Sequence, residues 1–241
     1  MDVKEKYNVV AYGDSITRGV VYDNERSRYT NIKDCFVNLV STSINGTVYN
    51  AGRFGSTIKR GISKIYGDVI KKSPDIVLIE FGGNDCDFNW KDVAEKPTED
   101  HQPNTDIPTF KDILLNMIDT VKSSGATPIL MTLPPLDSER YFNWITRNDK
   151  SFQDNILKWL GTEDIIYKWH SMYNETIKEV AERTKTTLID VRSEFLKYMD
   201  YKKFLCVDGI HPNSEGHTLI ANTILSFLRE KYDFVLQGTV N

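Results

Sequence analysis

The sequence predicts an α/β fold, a mostly parallel sheet of five strands covered by helices on both faces. Three observations carry this. Short apolar runs bounded by turn residues alternate with longer segments of helical period. The chain has 241 residues and 40% apolar content, which suits one α/β domain with insertions, covering 1–241. Its glycine-rich polar motifs fall after strand candidates, where ligand sites of open parallel sheets lie.

The first strand is Tyr7–Tyr12, an apolar run ended by Gly13-Asp14. Thr30–Ser43 then reads as a helix, followed by a second strand at Thr47–Asn50 and a helix at Thr57–Lys71. The third strand, Asp75–Phe81, stops at Gly82-Gly83. A helix at Thr109–Ser124 leads to a fourth strand, Thr127–Thr132. A long helix from about Asp164 to Thr184 precedes the fifth strand, Thr187–Asp190. The closing helix, about Ser214–Tyr232, shows the clearest period: Leu219, Ile220, Thr223, Ile224, Phe227 and Leu228 share one face. Two stretches, about 86–108 and 134–163, exceed ordinary connection lengths and leave strand carboxyl ends, so both are expected to overhang a site.

Composition narrows the partners. A net charge of −4 gives no reason to expect nucleic acid or an anionic membrane. No apolar run reaches membrane-spanning length. Three cysteines, Cys35, Cys86 and Cys206, lack C-x-x-C spacing and indicate neither a disulfide framework nor a zinc site. Met1–Tyr7 lacks the apolar stretch of a signal peptide, so the expected compartment is the cytoplasm. The sequence carries no signal for an oligomeric state.

Four scattered segments supply complementary chemistry. Gly13-Asp14-Ser15 offers a serine, which is a poor nucleophile until an oriented base removes its proton. Asp208-Gly209-Ile210-His211 offers that base and, three residues earlier, the carboxylate to orient it. Pro212 then stops the loop, and Asn213 or Ser214 can cap the closing helix. A tetrahedral intermediate also needs donors aimed at its oxyanion. The backbone N–H groups of Ser15 and Gly55 and the side-chain amide of Asn84 are available. Glycine at 55 permits a close backbone approach, and Gly82-Gly83 leaves room for Asn84 to turn inward.

These segments resemble the blocks of the SGNH hydrolases, the GDSL family of esterases and lipases. Gly-Asp-Ser matches the first block, Asn50–Thr57 the second with Gly55, Gly82-Gly83-Asn84-Asp85 the third, and Asp208–Asn213 the last. The resemblance spans Gly13 to His211 in the family's order. It implies a flavodoxin-like three-layer α/β/α sandwich and hydrolysis of small-molecule esters through an acyl-serine, with no metal or cofactor. Ser15, Asp208 and His211 would be the catalytic residues, and Ser15, Gly55 and Asn84 the oxyanion donors. O-acetylated carbohydrate is one substrate that fits; a lipid or thioester hydrolase and an acyltransferase would use the same residues. No phosphate-binding loop and no G-x-S-x-G elbow competes with this reading.

Other residues read as support. Asp14 is expected to order the nucleophile loop and Asp85 its own loop. Glu80, in a buried strand, is expected to be a hydrogen-bonded core carboxylate. His217 reads as outward-facing or structural, and Cys86 as a packed small side chain. Arg18 either faces substrate or pairs with a loop carboxylate. Phe88, Trp90, Tyr141, Phe142 and Trp144 either line a pocket or hold the long connections down.

Overall fold

A computed structural model describes residues 4–238. In chain order the elements are β1 (Tyr7–Gly13), the short α1 (Ser15–Arg18), β2 (Val20–Asp23), β3 (Arg28–Asn31), α2 (Phe36–Ser41), β4 (Gly46–Asn50) and α3 (Ile58–Asp68). There follow β5 (Ile76–Glu80), α4 (Trp90–Glu95), α5 (Ile107–Ser123), β6 (Thr127–Met131), α6 (Ser138–Thr146) and α7 (Lys150–Leu160). The chain continues with α8 (Asp164–Thr184), β7 (Thr187–Ile189), α9 (Val191–Leu196) and α10 (Ser214–Lys231).

Five strands form one parallel sheet in the order β4-β1-β5-β6-β7. Side chains of a strand alternate between faces, and here they divide cleanly. Val9, Ala11, Ile76, Leu78, Ile129 and Met131 pack with α2, α9 and α10. Val10, Tyr12, Val77, Ile79 and Leu130 pack with α3, α5 and α8. The result is a three-layer α/β/α sandwich, as the sequence predicts.

From β1 the chain crosses to β4 on one side, and from β5 it crosses to β6 on the other. The connections therefore part between β1 and β5, and Gly13 and Glu80 are register partners at that edge. This is the switch point at which open parallel sheets hold ligands.

Two expectations need correction. Thr30–Ser43 is not one helix: Thr30 belongs to an antiparallel hairpin in which Val20 faces Asn31, Val21 Thr30 and Tyr22 Tyr29. Residues 20–31 hold two β-branched and aromatic runs around a polar turn, and that pattern outweighs helical period. Only Phe36–Ser41 is helical, with Phe36, Val37 and Val40 buried. Second, the two long connections, expected as loop insertions, are not plain loops: the first holds the short α4, and most of the second is α6 and α7. These bury Phe88, Trp90, Val93, Tyr141, Phe142 and Ile156 in a third cluster with α8. An insertion of this length needs an apolar core of its own to offset its ordering entropy.

Candidate active site

Ser15 opens α1 directly behind β1, and the helix is capped by Asp14, whose carboxylate accepts from the Ile16 N–H at 2.9 Å. His211 comes from the other end of the chain. Its loop is pinned by a bridge between Leu205 and Pro212 and by the Cys206 N–H on the His211 carbonyl at 2.8 Å. Asn213 caps α10 by accepting from the Gly216 N–H at 3.0 Å.

The three groups meet. His211 Nε2 lies 2.9 Å from Ser15 Oγ, and His211 Nδ1 lies 2.6 Å from Asp208 Oδ2. A carboxylate only accepts, so Nδ1 carries the proton and the Nε2 lone pair faces the serine hydroxyl. Asp208 is 0% exposed. Burial alone would raise its pKa, but the hydrogen bond and charge of His211 and the N–H groups of His211 and Ile210 outweigh it, and the net shift is downward. Asp208 therefore stays ionised and can stabilise an imidazolium.

The residues expected to supply oxyanion donors line one cavity with the serine. Among the described residues, the N–H groups of Ser15 and Gly55 have no protein acceptor. Gly55 adopts φ +65° with no protein atom within 4 Å of an added Cβ. Its glycine is thus demanded by the left-handed backbone rather than by crowding from the protein. Gly82 differs: at φ +140° an added Cβ would meet the Leu133 side chain at 2.9 Å. One N–H of the Asn84 amide bonds Asp14 Oδ2 at 3.0 Å, leaving the second to serve the site.

Below the serine lies a carboxyl pair. Asp14 and Glu80 are both buried, and their carboxyl groups interact electrostatically. Burial and the neighbouring Asp14 charge push Glu80 well up, so Glu80 holds the proton. Burial raises Asp14 too, but the Ile16 N–H, nearby His211 and the Glu80 and Asn84 side chains pull against it. Thr17 Oγ1 donates to Glu80 at 2.8 Å. Asp85 accepts from the Ile58 N–H at 3.0 Å, so it braces the start of α3 and not merely its own loop. His217 is buried, with Nδ1 accepting from the Phe36 N–H at 3.3 Å. Cys86 is buried, donates to the Gly83 carbonyl, and has its thiol pushed well up by that burial.

Ser15, Gly55, Asn84 and His211 line a cavity of about 230 Å³. Its apolar wall includes Phe88, Trp90, Tyr141, Trp144, Ile166 and Trp169. The aromatics thus fill both roles open to them: Phe88, Trp90 and Tyr141 belong to the third cluster and line the cavity, whereas Phe142 only packs. Sequence reading missed Tyr29 and Phe54, which also line it and whose rings stand 5.2 and 6.3 Å from that of His211. Burial and the nearby Asp208 carboxylate keep the Tyr29 phenol protonated. The alternation of residues 28–31 was the available signal for Tyr29. Among the described residues no group of three or more His, Cys, Asp or Glu is placed to hold a metal ion, and no helix is long and apolar enough to cross a membrane.

The chain is similar to known proteins over most of its length. Residues 11–219 match the GDSL-like Lipase/Acylhydrolase family. The uncharacterized lipoprotein YqeF of Bacillus subtilis is 27% identical, over 84% of this chain and 74% of its own. An acetylxylan esterase of Geobacillus stearothermophilus is 24% identical, over 76% of this chain and 71% of its own. A solved lipase/acylhydrolase from Enterococcus faecalis superposes with a TM-score of 0.67 at 22% identity, covering 98% of this chain and 100% of that one.

Proposed function

We propose that this chain, which belongs to the GDSL-like lipase/acylhydrolase family, is a serine esterase that cleaves small acyl esters through an acyl-serine at Ser15. The observation that carries the proposal is the continuous hydrogen-bond chain from Asp208 through His211 to Ser15, beside two unengaged backbone N–H groups. In this reading His211 takes the Ser15 proton as Oγ attacks the ester carbonyl. The oxyanion forms toward the N–H groups of Ser15 and Gly55 and the free N–H of Asn84. His211 then gives its proton to the departing alcohol oxygen. Water repeats the sequence, losing a proton to His211 while Ser15 Oγ regains one and the acid leaves.

Two further facts support the reading. Solved catalytic mutants of the acetylxylan esterase replace a serine, an aspartate and a histidine. A cavity of about 230 Å³ is below the roughly 300–1,000 Å³ of drug-sized ligand sites, which favours a short acyl group. An O-acetylated carbohydrate meets that demand.

The test is turnover of p-nitrophenyl acetate, butyrate and octanoate by wild type and Ser15→Ala. Acetate is expected to be the best of the three, and Ser15→Ala to lose at least ~10³-fold in kcat. Equal rates in the two proteins would remove Ser15 from the mechanism.

A further inference from the structure

The serine cavity adjoins a larger open groove of about 1230 Å³. Tyr29 and Phe54 line both. The groove is formed by the β2–β3 hairpin, the end of β4 and helix α3, and it presents Arg18, Arg28, Arg53, Arg60 and Lys72 against one carboxylate, Asp68. Asp68 is already engaged, receiving two bonds from the Arg53 guanidinium at 2.9 and 2.6 Å. Among the described residues, no carboxylate lies within ion-pair distance of Arg18, Arg28 or Arg60. The whole chain has 34 acidic and 30 basic side chains, so a surface of average composition would balance its charges. This concave surface does not. Like charges gathered in a cleft repel one another and focus a field that attracts anions.

Position says which part of a substrate would meet these cations. The acyl group fits the small aromatic cavity. The leaving oxygen must face His211, because that imidazole returns the proton to it. Tyr29 and Phe54 flank the same imidazole and form the shared wall leading to the cations. We propose that the groove is the subsite for the alcohol portion of the ester, and that this portion is anionic, a sugar or polyol carrying carboxylate or phosphate. Tyr29 and Phe54 offer it an apolar edge, and Arg18, Arg28 and Arg60 offer charge. This rests on the serine-esterase reading above.

Two matched substrate pairs test it: monoacetylglycerol against acetylglycerol phosphate, and O-acetylated oligogalacturonate against its carboxyl methyl ester. At low ionic strength at least one anionic member is expected to exceed its neutral partner about tenfold in kcat/KM, carried by KM. Which pair responds separates phosphate from carboxylate. The advantage is expected to fall to about twofold or less in 1 M salt, where the screening length is about 3 Å. It is expected to fall as far in the Arg28→Gln/Arg60→Gln variant, whose fold is checked by thermal melting; both side chains lie on the exposed rim. Equal kcat/KM within both pairs at low salt, or an advantage indifferent to salt, would overturn the proposal. Wild-type turnover of p-nitrophenyl acetate that Ser15→Ala lacks keeps the two readings apart: with it present and no charge preference, the groove proposal alone fails. If Ser15→Ala matches wild type, the parent reading fails and the groove proposal with it.

Discussion

Asp14 ties the proposed nucleophile, Ser15, to Asn84, one of the proposed oxyanion donors. Its two oxygens accept from the Ile16 N–H, which starts the helix carrying Ser15, and from the Asn84 amide. Glu80 beneath, its carboxyl pushed well up by burial and by the Asp14 charge, spares Asp14 a second buried negative charge beside its own. Asp14 thereby fixes the amide plane of Asn84, so that its remaining N–H stays aimed without needing to reorganise as charge develops. Asn84→Ala should then lower kcat by about 10²–10³-fold while KM moves little, since the lost bond forms chiefly in the transition state. A steady-state profile with a large rise in KM and an unchanged kcat would place Asn84 in ground-state binding instead. The residues at this scale were legible because each needed chemistry, a hydroxyl, an imidazole, an amide or a carboxylate, has a short motif around it. Glu80 was legible only as a buried carboxylate; its proton depends on Asp14, which sequence separates from it by 66 positions but strand register brings alongside.

Elements surrounding the site were less legible than the sheet. Helices α8 and α10 follow apolar spacing and nearly match their expected bounds, because each packs one stripe on the sheet. The hairpin and α4, α6 and α7 pack on one another instead, so their apolar residues answer to neighbours remote in sequence. Trp144 of α6 shows this: its ring meets Tyr22 of β2 at 4.5 Å, edge to face, and Tyr29 of β3 at 6.2 Å. The hairpin and the second insertion therefore hold each other over the cavity. Trp144→Ala should enlarge the acyl cavity and raise the octanoate-to-acetate ratio of kcat/KM by about tenfold, at a stability loss of about 2 kcal/mol for this half-buried ring. An unchanged ratio together with that loss of stability would leave Trp144 as packing alone.

Across the whole molecule, the sheet brings together groups 196 positions apart, Ser15 and His211. The order of the motifs pointed to this, since a parallel sheet collects strand carboxyl ends on one edge. The basic groove was not legible, because a net charge of −4 averages away its local excess. Closure of α10 against α2 depends on neutral His217, whose pKa is lowered to about 4 by burial and by nearby His211. The unfolded ring takes up a proton below about pH 6.5, well before the folded one. The stability from this group is thus full above pH 6.5 and lost as pH falls toward 4. The unfolding free energy of wild type relative to His217→Gln should fall by on the order of 3 kcal/mol between pH 7 and pH 4 in urea titrations. A pH-independent difference would mean that the ring does not stay neutral on folding. The central claim, that the two chain ends form one acyl-transfer centre, is tested most directly by covalent labelling. Wild type and His211→Ala are treated with a fluorophosphonate, and the adduct is located by peptide mass spectrometry. The expected result is one adduct on Ser15 of the wild type, formed at least ~10³-fold more slowly when His211 is removed; an adduct on another residue, or equal labelling of both proteins, would contradict the account.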